Sequence, residues 1–440
     1  MHEKFKYKNT EELQKKAAEL NLQLPFSDET ELLFQPLFIS NKKVPNRLVV
    51  QPMEGFDSEN NGSPGKYTIR RYKRYAEGGS GMIWFEATSV TQDGRSNPHQ
   101  LLLNRETLAQ FKSIVEITKK SAINKLGNSH EPFLVLQLTH SGRYSKPDGN
   151  PVGKVLCFNP YLDKNRENII LYKDEEIENI QHAYNEAIIL AKQAGFDAVD
   201  IKACHGYLLH EMLGAFNRTD SKFGGNFEKR IAFLTDLINH DDELILSVRL
   251  NATDLIPYPY GFGMKNDRSV DYDLEEPKKL IKILINKGSQ LMNITAGVPY
   301  YNTHIGRPFD RPVKGSIFPV EHPLEGIMRM VNITSELQKE FPDIPFVGTG
   351  YSWLQQFFPN VGAGVIKNKM ASLIGLGRSA FAYPDAPLDL MQKGRLDKKK
   401  TCIACSRCTE LMRSGNNSGC VIQDKEIYGK LYKRSVIGNR

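Results

Sequence analysis

The sequence predicts an α/β fold, a (β/α)8 barrel with an N-terminal extension and a short C-terminal cysteine-rich tail. Three observations predict it. Eight short apolar runs rich in β-branched residues alternate with longer helical patterns. No antiparallel hairpin interrupts the eight, and no Gly-x-Gly-x-x-Gly follows the first run, which argues against an open dinucleotide-binding sheet. The chain is 440 residues long, and barrels of this kind exceed the usual domain size as a single unit. The boundaries expected are 1–34 for the extension, 35–393 for the barrel and 394–440 for the tail.

In the extension, Thr10 is expected to cap a helix through Leu20, with Pro25 beyond it. Leu32 to Ile39 and Val44 to Arg47 form a hairpin-like lead-in. The strands expected are Leu48–Gln51, Met82–Phe85, Phe133–Gln137, Ala198–Ile201, Ile245–Arg249, Leu291–Ile294, Pro345–Gly348 and Ala371–Ile374. The clearest helical patterns are Leu108–Asn124, Asp174–Gln193, Phe227–Asn239, Leu274–Lys287, Glu325–Lys339 and Trp353–Lys367. Asp174 is placed to cap the second of these, with Ile177, Ile180, Tyr184, Ile188 and Ala191 as an apolar stripe behind it.

Composition limits the function classes. Hydrophobic residues at 40% and charged residues at 25% suit a globular enzyme, and a net charge of +7 is modest at this length. The densest basic runs, Lys398–Lys400 and Lys430–Arg434, lie in the tail and make no extended basic face with interleaved aromatics, so nucleic acid is not an expected partner. No apolar run reaches the length of a membrane helix, and the start lacks a signal-peptide core, so a cytoplasmic protein is expected.

In a parallel barrel the C-terminal strand ends share one site. Here they carry Gln51-Pro-Met-Glu54, Glu86-Ala-Thr88, Gln137-Leu-Thr-His140, Lys202-Ala-Cys-His205 followed by Tyr207, Arg249-Leu-Asn251, Thr295-Ala-Gly297, Gly348-Thr-Gly350 and Gly375-Leu-Gly-Arg378. Two glycine-rich ends with an arginine, at the seventh and eighth units, suit a phosphate cradle. Gln137 and Arg249 suit the alternating donors and acceptors of a planar heterocycle. Together they suggest flavin mononucleotide. Cys204 is expected to pack as a small hydrophobe, and Trp353, Phe357 and Phe358 as helix packing. His140, beside the Ser141-Gly-Arg143 loop, joins the candidate site.

The motifs Asn46-Arg-Leu, Gln51-Pro-Met53, Gln137-Leu-Thr-His-Ser-Gly-Arg143, His205-Gly-Tyr-Leu-Leu209, Asn217-Arg-Thr-Asp220, Gly224 to Arg230 and Gly375-Leu-Gly-Arg378 occur in order. On these, the chain resembles the old yellow enzyme family of NADH:flavin oxidoreductases from about Phe34 to Cys420. The resemblance implies FMN in the barrel, with NAD(P)H as reductant and an activated, carbonyl-conjugated alkene as small-molecule substrate. It implies that Pro52, Met53 and Ala87 lie along the flavin ring, Gln137 and Arg249 on its polar edge, and Gly348, Gly350, Gly377 and Arg378 on the phosphate. Tyr207 matches the family's proton donor. Lys202 and His205 match the pair that grips the substrate's carbonyl oxygen. Lysine at 202 departs from the family's imidazole: it holds an enolate oxygen strongly, selects a carboxylate-bearing substrate, or pairs with an acidic neighbour and takes no part.

Cys402, Cys405, Cys408 and Cys420 form C-x2-C-x2-C-x11-C. Three thiols in one short loop with a distant fourth suit a [4Fe–4S] cluster better than zinc, which prefers two separated pairs. The tail resembles that of the family's iron–sulfur branch, which includes 2,4-dienoyl-CoA reductase and trimethylamine dehydrogenase. Oxidation of an amine or other small substrate, and an electron-transfer module serving a protein partner, are the alternatives. A homo-oligomer is compatible with each.

Overall fold

Eight parallel strands close on one another in chain order, each hydrogen-bonded to the next and the eighth to the first. They are β1 (Leu48–Val50), β2 (Met82–Ser89), β3 (Phe133–Thr139), β4 (Ala198–Ala203), β5 (Ile245–Asn251), β6 (Ser289–Thr295), β7 (Phe346–Gly348) and β8 (Leu373–Leu376). Around them run α1 (Lys66–Glu77), α2 (Leu108–Leu126), α3 (Asp174–Ala194), α4 (Phe227–Asp236), α5 (Glu275–Asn286), α6 (Pro323–Glu340), α7 (Phe358–Lys367) and α8 (Arg378–Ala382). The structure, a computed structural model, describes residues 3–438 except 165, 240, 242, 268, 270 and 317. The outermost residues of the two expected end segments, 1, 2, 439 and 440, therefore lie outside the described residues. The (β/α)8 architecture is the expected one.

Strand periodicity builds the interior. Side chains alternate in and out along a strand, so Met82 and Trp84, Phe133 and Val135, and Ala198, Ile245, Leu291, Val347 and Leu373 meet as an apolar lower layer. An antiparallel hairpin, Leu37–Ile39 with Lys42–Val44, closes the floor by adding Ile39 and Val44 to that layer. Two residues further along the same inward rows come Gln137, Asp200, Ser247 and Asn293. The barrel thus changes from an apolar floor to a polar deck at a fixed height. Among the described residues, no helix is long and apolar enough to cross a membrane.

Several local expectations need correction. The first helix is capped by Asn9, whose side chain accepts the Glu12 N–H at 2.9 Å; Thr10 is its first residue, and it ends at Glu19, well before Pro25. Asp174 begins α3, and Lys173 stands at the cap; the Asp174 carboxylate accepts instead from Arg218, Ser221 and the Lys222 N–H. The stretch expected as one helix from Trp353 is a 3-10 segment, Tyr351–Phe357, followed by α7. Gln355 there has φ +51°, and Pro359 starts α7 where a missing N–H is harmless. Helix α1 has no counterpart among the expected helices. Its buried face is Thr68, Arg71, Tyr72, Tyr75 and Ala76, helical in spacing but without the aliphatic residues that usually mark such a stripe.

The tail folds back onto the barrel. Asp424 receives Arg70 at 2.7 Å and Arg74 at 2.8 Å, both on α1. The Ser418 N–H donates to the Gly55 carbonyl at 2.6 Å, beside the end of β1. At the other terminus, Phe5 and Tyr7 set their rings 5.1 and 6.1 Å from Trp353.

Candidate active site

The polar deck opens into a cavity of about 570 Å³ at the C-terminal strand ends, within the ~300–1,000 Å³ usual for small-molecule sites. Below it, Asp200 is fully buried and accepts from Trp84 Nε1 at 2.8 Å and Gln137 Nε2 at 2.6 Å. Burial pushes its carboxyl up to about 6, against the pull of those two hydrogen bonds. Its second oxygen has no partner among the described residues. Across the barrel, Gln51 and Asn293 exchange amide hydrogen bonds of 3.2 and 2.9 Å.

The fourth strand end turns sharply. His205 (φ +65°) and Gly206 (φ +79°) are both left-handed, a conformation that is strained by about 1–2 kcal/mol for His205. The Gly206 N–H donates to His210 Nδ1 at 2.7 Å, so His210 carries its proton on Nε2, which lies 2.5 Å from Asp254 Oδ1. That clamp fixes the turn that presents Tyr207.

Over the turn sits a contact that the sequence did not reveal. Lys202 Nζ lies 3.2 Å from Glu54 Oε1 and 3.7 Å from the centre of the Tyr207 ring. The Tyr207 hydroxyl donates to the same carboxylate oxygen at 3.3 Å. Lys202 therefore pairs with an acidic neighbour, one of the arrangements expected of it. Burial, and then the Glu54 charge, hold the Tyr207 phenol well above its ordinary range. His205 is held well below its ordinary range by burial and by the Arg249 and Lys202 charges, so it is a neutral imidazole. Tyr144 and Tyr300 stack at 3.6 Å beside Tyr207 and form an aromatic wall. Glu54, Tyr144 and Tyr300 were missed as site residues; only the strand-end position of Glu54 marked it.

Of the sequence-predicted residues, Pro52, Met53, Gln137, Lys202, His205, Tyr207, Arg249, Gly350, Gly377 and Arg378 line the cavity. Ala87 and Gly348 do not. Ala87 is buried within a register shift of β2, where its carbonyl accepts from Gln100, and a Cβ on Gly348 would meet the Tyr351 hydroxyl at 2.5 Å. His140 also lies off the cavity and accepts the Gly142 N–H at 3.1 Å. Cys204 is buried outside the lining, as expected of packing.

The donor set fits FMN. Arg249 Nε and Arg378 Nη1 are buried without hydrogen-bond partners among the described residues, one toward the deck and one at the glycine-rich ends. An anionic or acceptor-rich ligand would satisfy both. Helix α8 spans only Arg378–Ala382, so a phosphate there would rest on the guanidinium and backbone N–H groups more than on a helix dipole.

The four tail cysteines line one small cavity of about 20 Å³, which shares Arg378, Phe381 and Cys408 with the large one. Burial raises Cys402 to about 11 and Cys420 to about 12, with neighbouring cysteines adding to it. Ala404 (φ +48°) and Ser406 (φ +58°) are left-handed between the ligand positions, and strain of this kind concentrates at ligand clamps. Thiols are the ligand type that a cluster takes. Among the described residues, however, no group of three or more His, Cys, Asp or Glu side chains is arranged to hold a metal ion.

Comparison with known proteins agrees with this geometry. The profile of the NADH:flavin oxidoreductase / NADH oxidase family matches residues 32–256. The chain is 32% identical over 231 residues to an NADPH dehydrogenase of Bacillus cytotoxicus, covering 51% of this chain and 63% of that protein. It is 26% identical over 383 residues to an NADH oxidase of Thermoanaerobacter brockii, covering 85% of this chain and 52% of that one. The chain thus spans between about half and two thirds of these curated relatives. A 2-naphthoyl-CoA reductase has a similar fold, with a TM-score of 0.71 at 21% identity over 92% of this chain and 58% of that one.

Two outcomes follow from the buried charges. Lys202→Met leaves the Glu54 carboxylate with only the Tyr207 hydroxyl and should destabilise the fold by about 1–3 kcal/mol, whereas Lys202→Met with Glu54→Gln should cost well under the sum of the single changes. Urea denaturation of the four proteins checks this, and additive losses would contradict the pairing. Asp200 has a folded value of about 6 against an ordinary 3.8, so the folded state holds the extra proton between them. Its contribution is full below the ordinary value and lost as pH rises through the folded one. Wild type should therefore lose stability relative to Asp200→Asn between about pH 4 and pH 6, with parallel urea midpoints above that. Parallel midpoints throughout would contradict it.

Proposed function

The chain belongs to the NADH:flavin oxidoreductase / NADH oxidase family, and on that basis we propose that it is an FMN-dependent NAD(P)H oxidoreductase that reduces a carbonyl-conjugated alkene. One observation carries the proposal. A single cavity gathers a heterocycle edge (Gln137, Arg249), an anion cradle (Gly350, Gly377, Arg378) and a protonated phenol beside a neutral imidazole (Tyr207, His205).

FMN would be held by Gln137 and Arg249 at its polar edge, Pro52 and Met53 along its ring and Gly350, Gly377 and Arg378 at its phosphate. When bound it supplies hydride chemistry. The protein's own contribution is proton handling and orientation. Tyr207 keeps its proton across ordinary pH, so it enters the reaction as an acid able to deliver that proton to carbon. His205, neutral, offers an N–H to the substrate's carbonyl oxygen, where negative charge develops. Lys202, paired with Glu54, lies over the Tyr207 ring and holds the phenol in place. Ala87 and Gly348 act from behind the cavity wall, where they set the backbone path.

Oxidation of a cationic amine is less well supported. The aromatic walls and Glu54 would suit a cation, but Lys202 already fills the position over Tyr207 and neutralises that carboxylate. In the tail, Cys402, Cys405, Cys408 and Cys420 would hold a [4Fe–4S] cluster, which supplies one-electron exchange when bound, with zinc as the lesser alternative. Free cysteines, six of them, suit a reducing cytoplasmic setting.

Tyr207→Phe tests the assignment. Enone reduction should fall roughly 10²–10⁴-fold, the usual weight of a general acid. NAD(P)H oxidation with oxygen as acceptor should persist. Equal loss of both activities would remove Tyr207 from the proton-donor role.

A further inference from the structure

Six cationic side chains line the cavity, Lys146, Lys202, Arg249, Arg307, Arg378 and Arg413, against the one carboxylate, Glu54, among the described residues. Lys202 is neutralised by Glu54. Arg249 and Arg378 face the deck and the glycine-rich ends, where a flavin would engage them. Lys146, Arg307 and Arg413 are left without a role, and of these Arg307 and Arg413 meet at the tail helix.

Their placement is built rather than incidental. Arg413 ends a tail helix, Arg407–Arg413, and lies four residues after Thr409, on the same helix face. Thr409 accepts from Arg307 Nη1 at 2.7 Å, so one helix face both orients Arg307 and carries Arg413. The helix is fixed to the barrel. The Ser406 hydroxyl donates to the Arg311 carbonyl at 2.7 Å, and the Ser418 N–H donates to the Gly55 carbonyl at 2.6 Å. Both guanidiniums lie within electrostatic range of each other and of the Tyr300 phenol, which stacks on Tyr144 at the wall beside Tyr207. Two like charges held together over a cavity are stabilised by an anion placed between them.

We propose that Arg413, carried over the cavity by the cysteine tail, forms with Arg307 a subsite for a carboxylate or phosphate group on the small molecule that enters beside Tyr300. The identity of that molecule rests on the function proposed above; the subsite itself does not. The anionic group belongs either to the substrate, making it a carboxylated or phosphorylated enone, or to the phosphate that distinguishes NADPH from NADH. The cysteine tail thereby sets specificity as well as offering thiols.

The test uses the FMN-loaded full chain and unreactive ketones. Calorimetric binding of 3-oxocyclohexanecarboxylate is compared with that of cyclohexanone, and NADPH with NADH as their non-reducing tetrahydro analogues, in wild type, Arg413→Ala and Arg413→Lys. The carboxylated ketone should bind about tenfold tighter or more, the size of one charge-assisted contact, with the ratio collapsing in Arg413→Ala and largely kept in Arg413→Lys. A preference of that size confined to NADPH, and lost in Arg413→Ala, supports the subsite and assigns it to the dinucleotide. Absence of both preferences, or their survival in Arg413→Ala, overturns it. Arg413 is exposed at a helix end, so its replacement leaves the core intact. If the charge preference holds but the corresponding enones are not reduced, alkene reduction fails while the subsite stands. If neutral and charged enones are reduced with no preference, the subsite alone fails.

Discussion

The buried carboxylate of Asp200 is the joint on which the molecule turns. It takes the indole N–H of Trp84 from the apolar floor and an amide N–H of Gln137 from the layer above. A carboxylate this deep is tolerated only where donors surround it. Those donors come from β2 and β3, so strand register, floor packing and the orientation of Gln137 are fixed together. With one N–H of Gln137 taken, its carbonyl and second N–H remain for the cavity. The lower barrel thereby sets the polarity that a heterocycle would meet.

A second constraint links the mouth to the tail. Cys408, Thr409, Met412 and Arg413 line the large cavity, and Ser418 bonds to Gly55, one residue from Glu54. The tail is therefore part of the cavity wall, clamped by Asp424 to α1 on the other side. Arg378 and Phe381 border both the large cavity and the small one between the cysteines. A change in the cysteine loop has a short mechanical path to the β1 end, and so to the carboxylate that positions Lys202 and Tyr207.

The barrel was legible because its strands are short, almost wholly buried apolar runs rich in β-branched residues, a local signal. The strand-end residues were legible for the same reason, since a parallel barrel brings all such ends to one side. Helix α1 was not, because Tyr72, Tyr75 and a buried Arg71 replace the aliphatic stripe that marks a helix. The pairing of Glu54 with Lys202 joins residues 148 positions apart, and no local pattern announces it. Ala87 lies off the cavity, within a register shift between β2 and β3 that no local pattern announces. The cysteine spacing was plain, whereas the cavity-facing side of the helix that follows it was not.

We propose that the strand ends form an FMN site adjoining a cysteine-held cluster site. Anaerobic purification of the full chain, chromatographic identification of the released flavin and assays of iron and sulfide test it most directly. The account predicts about one FMN with about four irons and four sulfides per chain. Protein that carries no flavin and takes up none on titration with FMN would contradict it, and flavin without iron or sulfide would remove the cluster alone.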